Sequence, residues 1–144
     1  MSATANCSTR STNKKVTINT LAALKARDEK AVFVTAYDYP TATFADRAGV
    51  DLLLVGDSAA MTVLGHTNTL SITMTEMLVF ARAVARGAHR AFVVGDLPFL
   101  SYQVSNEEAV RNAGAFIAAG CDADRKSTRL NSSHTDISRM PSSA

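Results

Sequence analysis

Three short apolar runs, each followed by a stretch of helical periodicity, set the tightest limit on what this chain can fold into. Residues 31–36 (AVFVTA), 50–55 (VDLLLV) and 91–94 (AFVV) are too short for helices and rich in β-branched side chains. They are apolar rather than alternating, so they predict strands buried on both faces. Residues 40–48 predict a helix, with Asp38 as its N-cap and Gly49 as its C-cap. Thr73 and Glu76 have capping-box spacing ahead of Met77, Phe80, Ala81 and Val84, which share one helical face, and Gly87 closes that helix. Ser105 and Glu108 form a second such box. The helix they open is expected to bury Val110, Ala113 and Ile117 and to end at Gly120. Leu21, Leu24 and the charged run 25–30 add a short leading helix.

The order βαβαβα implies parallel strands joined by right-handed crossovers, hence an α/β fold. A doubly wound sheet and a (β/α)8 barrel both satisfy it. Neither G-x-G-x-x-G nor a P-loop follows an early strand. That tilts the expectation towards the N-terminal portion, about three βα units, of a truncated (β/α)8 TIM-type barrel.

Composition excludes several function classes. No apolar run reaches the roughly 18 residues of a membrane span. Cys7 and Cys121 form no C-x-x-C pair, which argues against a disulfide framework or a structural zinc site and for a reducing compartment, the cytoplasm. Residues 1–123 hold 11 Lys+Arg and 11 Asp+Glu, so the excess of +2 lies wholly in the last 21 residues. A neutral body without a basic aromatic stripe gives no support for nucleic-acid binding.

The chain divides into three parts. Residues 1–20 are rich in Ser, Thr and Asn, with no acidic residue before Asp28. An organelle transit peptide shares that composition, but a single arginine before Arg27 and weak amphipathicity favour a flexible start. Residues 21–123 hold the partial barrel. Residues 124–144 (DRKSTRLNSSHTDISRMPSSA) lack a usable apolar period. A disordered tail would look the same. Yet residues 124–134 back-translate in one frame to a string resembling a common sequencing-library adapter, and residues 138–144 to its continuation. The whole segment is therefore expected to be non-native.

Two strands end in the same signature, Val55-Gly56-Asp57 and Val94-Gly95-Asp96. Each places a carboxylate just past the C-terminal end of a parallel strand, the edge where α/β folds bind ligands. Adjacent strands lie about 4.8 Å apart, so the pair can approach one ion or one substrate. Two oxygen ligands suit Mg²⁺, which keeps waters and adds substrate oxygens. Capping of the next helix is the alternative for either aspartate alone. Ser58 can donate to a substrate oxygen or serve as a turn residue. The loop Gly65-His66-Thr67-Asn68-Thr69-Leu70 can form part of a lid, although a loop histidine is more often idle. Asp38 is assigned to capping rather than to substrate. His89, Arg82, Arg86 and Arg90 are assigned to a solvated helix end that complements the dipole.

T-A-Y-D-Y-P, L-V-G-D-S, G-H-x-x-T-L, A-V-A-R-G-A and G-D-L-P-F-L-S-Y occur in this order between Val34 and Asp122. The ordered set resembles the ketopantoate hydroxymethyltransferase family. The resemblance implies a (β/α)8 barrel and an enzyme of pantothenate biosynthesis. That enzyme moves a hydroxymethyl group from 5,10-methylenetetrahydrofolate to 3-methyl-2-oxobutanoate, giving ketopantoate. It further implies Mg²⁺ on Asp57 and Asp96, keto-acid contacts from Asp57, Ser58 and Asp96, and a homo-oligomeric full-length protein. A K-x-E-G-G motif is expected near residues 125–129, where Arg125-Lys126-Ser127-Thr128-Arg129 stands instead. The family's substrate lysine, third metal carboxylate and general-base glutamate are thus not found, and this chain by itself is expected to be inactive. Two other readings stand beside this one. One is a Mg²⁺-dependent keto-acid enzyme like phosphoenolpyruvate mutase and isocitrate lyase. The other is a non-catalytic half-barrel binding module.

Overall fold

The computed structural model describes residues 14–126. Its elements are α1 (Ile18–Ala26), β1 (Phe33–Thr35), α2 (Tyr39–Arg47), β2 (Leu52–Val55), α3 (Ala59–Thr62), α4 (Met74–Gly87), β3 (Phe92–Leu97), α5 (Asn106–Ala118) and β4 (Ala123–Lys126). The four strands form one parallel sheet in the order β1-β2-β3-β4. Each new strand is added on the same side. A doubly wound sheet reverses direction at a switch point, whereas a barrel wall does not.

The two faces of the sheet are covered differently. Leu53 and Val93 pack with Ala42 of α2, Met77, Ala81 and Val84 of α4, and Phe116 of α5, so these three crossover helices lie on that face. Leu52, Leu54, Phe92, Val94 and Ala123 turn the other way and meet Val16 and Leu21. This is the pattern of a barrel wall, with helices outside and strand side chains inside.

Local chemistry explains most element ends. Asp38 caps α2, its carboxylate accepting the Thr41 amide at 2.7 Å and the Thr41 hydroxyl at 3.0 Å. Thr73 and Glu76 cap α4 reciprocally. At α5 the serine half of the expected box is present, Ser105 accepting from the Glu108 amide. Gly49 and Gly120 follow α2 and α5 with φ of +86° and +101°, where a side chain would be strained. A capping pair that the sequence reading missed, Thr17 with Thr20, starts α1 at Ile18. Val16 ahead of it is buried, and its amide donates to the Arg90 carbonyl.

Four expectations are corrected. β1 is shorter than residues 31–36 and exposed, because it is an edge strand paired only with β2 among the described residues. Burial rises inward, with alternate residues of β2 covered and all of β3. β3 runs on past Val94 to Leu97, because β4 pairs with its far end. Neither Val110 nor Ile117 is buried on α5; they are 72% and 51% exposed, and Phe116 is the inward residue. The helix rotates to seat that ring over Gly95, where an added Cβ would lie 2.5 Å from it. Arg90 is not solvated, as described below.

A fourth strand follows the three βα units. It contains Asp124, Arg125 and Lys126, the first three residues of the segment expected to be non-native. A parallel ladder is made by backbone groups and accepts such residues. The remainder of that segment, and most of the expected flexible start, lie outside the described residues. Among the described residues no helix is long and apolar enough to cross a membrane.

Candidate functional site

β2 and β3 are in register from Leu52↔Phe92 to Val55↔Gly95. Asp57 therefore lies in the turn two residues beyond β2, and Asp96 one residue beyond the matched end, still within β3. Both stand at the C-terminal edge of the sheet. Asp96 is 5% exposed, and its Oδ1 is buried without a hydrogen-bond partner. Burial pushes its carboxyl up to about 6, the neighbouring Asp57 charge adds to the rise, and Arg125 opposes it. Desolvation with a like charge nearby disfavours an ionised carboxylate unless a cation joins it.

Tyr102 reaches the same neighbourhood from the loop after β3. Its phenol is raised first by burial, then by the charges of Asp96 and Asp57. That loop is held internally: Ser101 donates to the Pro98 carbonyl at 2.7 Å, and Asn112 of α5 donates to the Ser101 carbonyl at 2.6 Å. Ser58 is half-buried beside Asp57, and its Oγ lies 2.7 Å from the Tyr37 hydroxyl. Sequence reading passed over Tyr37 and Tyr102. Their signal was position, an aromatic residue a few places beyond a strand end in T-A-Y and L-S-Y.

The structure thus brings Asp57 and Asp96 into one electrostatic neighbourhood, with Ser58 adjacent in the chain to Asp57. Among the described residues no group of three His, Cys, Asp or Glu side chains is placed to hold a metal ion, so the carboxylates form a pair rather than a triad. His66 stays exposed on its loop, its amide donating to the Ala60 carbonyl at 2.8 Å. Asp38 serves as a cap.

The opposite edge of the sheet carries polar structure of another kind. Arg90, 8% exposed, donates to the Gly49 and Val50 carbonyls at 3.1 and 2.6 Å and pairs with Asp51 at 3.3 Å. The Asp46 carboxylate collects the amides of His89, Arg90 and Ala91 at 2.6–3.2 Å. Lys15 bridges the Ala91 carbonyl and Asp122, each at 2.8 Å. In barrels the N-terminal edge serves stability and the C-terminal edge chemistry.

A parallel wall of barrel type with paired acidic residues at its C-terminal edge defines a class, the strand-end carboxylate sites of α/β barrels. Comparison with known proteins narrows it. The profile of the family described as ketopantoate hydroxymethyltransferase matches residues 15–133, and the chain belongs to that family. It is 60% identical over 103 residues to the 3-methyl-2-oxobutanoate hydroxymethyltransferase of Syntrophobacter fumaroxidans, covering 72% of this chain and 36% of that protein. Against the protein of the same name from Staphylothermus marinus it is 54% identical over 110 residues, covering 76% and 40%. The chain therefore spans well under half the length of these curated relatives.

Solved structures share the fold. Phosphoenolpyruvate phosphomutase from Streptomyces platensis superposes with a TM-score of 0.60 at 24% identity, covering 72% of this chain and 35% of that one. A phosphonopyruvate hydrolase, solved as a complex with oxalate and Mg²⁺, gives 0.57 at 18% identity, covering 72% and 36%. Each covers about a third of a longer chain, as a piece of a barrel wall does.

Proposed function

We propose that this chain carries the N-terminal part of the active site of a ketopantoate hydroxymethyltransferase. In that enzyme a hydroxymethyl group passes from 5,10-methylenetetrahydrofolate to 3-methyl-2-oxobutanoate. The supporting observation is Asp96, a buried carboxylate with an unpartnered Oδ1 at the strand end, beside the charge of Asp57. An unpaired buried oxygen is costly, and a cation relieves the cost.

The donor set fits Mg²⁺, a hard cation that takes one or two carboxylates, substrate oxygens and water. Asp57 and Asp96 are the residues that would hold it. When bound there, Mg²⁺ supplies Lewis acidity at the keto acid's carbonyl. The oxalate and Mg²⁺ named with phosphonopyruvate hydrolase support the same pairing of metal and small oxo-acid on this fold.

The chain's own residues do the rest of the binding. Ser58 donates its hydroxyl proton to an oxygen of the keto acid, and the β2–β3 pairing holds Asp57 and Asp96 at one edge. No residue between 14 and 126 is assigned the general-base role, and Arg125 and Lys126 are given none. Hydroxymethyl transfer is accordingly not expected from this chain alone. We read residues 124–144 as non-native.

The test is calorimetric titration of the chain with MgCl₂, then with 3-methyl-2-oxobutanoate. Binding of Mg²⁺ that is lost in both Asp57→Asn and Asp96→Asn is expected, with the keto acid binding only when Mg²⁺ is present. Mg²⁺ uptake untouched by either substitution would sink the proposal.

A further inference from the structure

Ser58 occupies the N-cap position of α3 but does not cap it. Its backbone is helical, φ −58° and ψ −13°, and its hydroxyl makes no bond to the helix amides. An N-cap serine ordinarily has extended backbone and turns its oxygen onto the amide two or three residues on. Here the hydroxyl lies beside Gly56, the residue after β2, instead. A Cβ added at Gly56 would lie 3.0 Å from Ser58 Oγ, so the glycine leaves room for that rotamer.

What holds the hydroxyl there is Tyr37. Its OH lies 2.7 Å from Ser58 Oγ. The tyrosine is itself held at two points. The Ala36 amide donates to the Leu54 carbonyl, so β1 pairing extends to the residue before it. Its ring meets Phe80 of α4 edge to face, centroids 6.4 Å apart at 68°. Tyr37 thus stands at the C-terminal edge of β1 and reaches sideways to the turn after β2.

We propose that Tyr37 is a positioning residue, whose phenol accepts no part of the chemistry but fixes the Ser58 hydroxyl so that its proton points at the keto acid. This rests on the function proposed above. A hydroxyl has one proton and two lone pairs. The keto acid's carboxylate and carbonyl offer only acceptors. The arrangement that satisfies every group runs from Tyr37 OH to Ser58 Oγ, and from the Ser58 proton to the substrate oxygen. Each link polarises the next. Without the phenol, the serine side chain is free to sample its other staggered rotamers.

The experiment measures the dissociation constant of 3-methyl-2-oxobutanoate, with Mg²⁺ present, for the wild-type chain, Tyr37→Phe, Ser58→Ala and the double variant. Tyr37→Phe is expected to weaken keto-acid binding about 2- to 10-fold, the range of one hydrogen bond. Mg²⁺ binding measured without keto acid should not change, which separates positioning from a general structural effect. In the Ser58→Ala background the same substitution should add nothing. Wild-type affinity in Tyr37→Phe, or an equal loss in both backgrounds, overturns the inference. If the wild-type chain takes no keto acid, the function reading falls instead. The Tyr37–Ser58 link is then judged by the proton resonance of the Tyr37 hydroxyl. A protected resonance that Ser58→Ala abolishes supports the link, and its absence from the wild-type spectrum overturns it.

Discussion

The Arg90 guanidinium and the Asp51 carboxylate form a buried ion pair at the N-terminal edge of the sheet, 3.3 Å apart. Asp51 also accepts the Val32 amide at 2.9 Å, which ties the entrance of β1 to that of β2. Arg90 holds the Gly49 and Val50 carbonyls after α2. Removing Asp51 leaves the guanidinium charged and buried without this carboxylate, at a cost of about 3–5 kcal/mol. Asp51→Ala should therefore lower the urea midpoint sharply. Arg90→Lys should recover little, because one ammonium cannot span two carbonyls and a carboxylate as the planar fork does. A loss under 1 kcal/mol for Asp51→Ala, about the value of a surface pair, would contradict this placement.

Gly95 lies under the ring of Phe116, with hypothetical Cβ contacts of 2.5–2.8 Å to it. Gly95→Ala should destabilise the chain by about 1–3 kcal/mol through overpacking. Because the clash is with one side chain, Gly95→Ala and Phe116→Leu should be non-additive, the double variant being more stable than the sum predicts. Additive losses in a double-mutant cycle would place the strain elsewhere.

Cys121 is buried after α5, and burial, helped by Asp122 and opposed by Lys15, pushes its thiol up to about 12. Its ordinary value is 9.0. An acid whose folded value is raised keeps its proton longer when folded. The stability it contributes is complete below the unfolded value and is lost as pH rises through the folded one. The stability difference between the wild type and Cys121→Ala should therefore shrink as pH rises from 9 towards 12. The native thiol should also resist iodoacetamide at pH 8 and react once urea unfolds the chain. Rapid native alkylation would show the site to be open.

Much of this was legible in the sequence, for identifiable reasons. The three apolar runs and their caps are local signals, and Asp38, Thr73, Gly49 and Gly120 act as their positions indicate. Asp57 and Asp96 were visible because a repeated V-G-D follows two strands. What escaped depends on contacts between elements distant in sequence. Arg90 looks like a solvated residue past α4 until β2 places Asp51 beside it. Asp51 itself was the available clue, a lone charge inside an apolar run. α5 carries apolar residues on two stripes, and only Gly95 on β3 decides for Phe116 over Val110 and Ile117. The Tyr37–Ser58 bond joins the ends of two strands, and no local pattern encodes it.

Asp96 allows function and stability to be set against each other. An acid normally at 3.8 that burial pushes to about 6 costs the folded state nothing below the unfolded value, increasingly between the two, and fully above the folded one. Asp96→Asn removes the charge and keeps the shape. In chelator-treated protein at pH 8 the variant should be more stable than wild type, by up to about 3 kcal/mol at 1.4 kcal/mol per unit. Near pH 4 the gain should vanish. Adding MgCl₂ should stabilise the wild type and leave the variant unmoved, since Asp57 would then be the one carboxylate left to the ion where the wild type offers two. Urea midpoints at the two pH values, each with and without MgCl₂, decide the matter. A variant less stable than wild type at pH 8 without metal would make Asp96 a structural residue, and the unpartnered Oδ1 would no longer point to a cation.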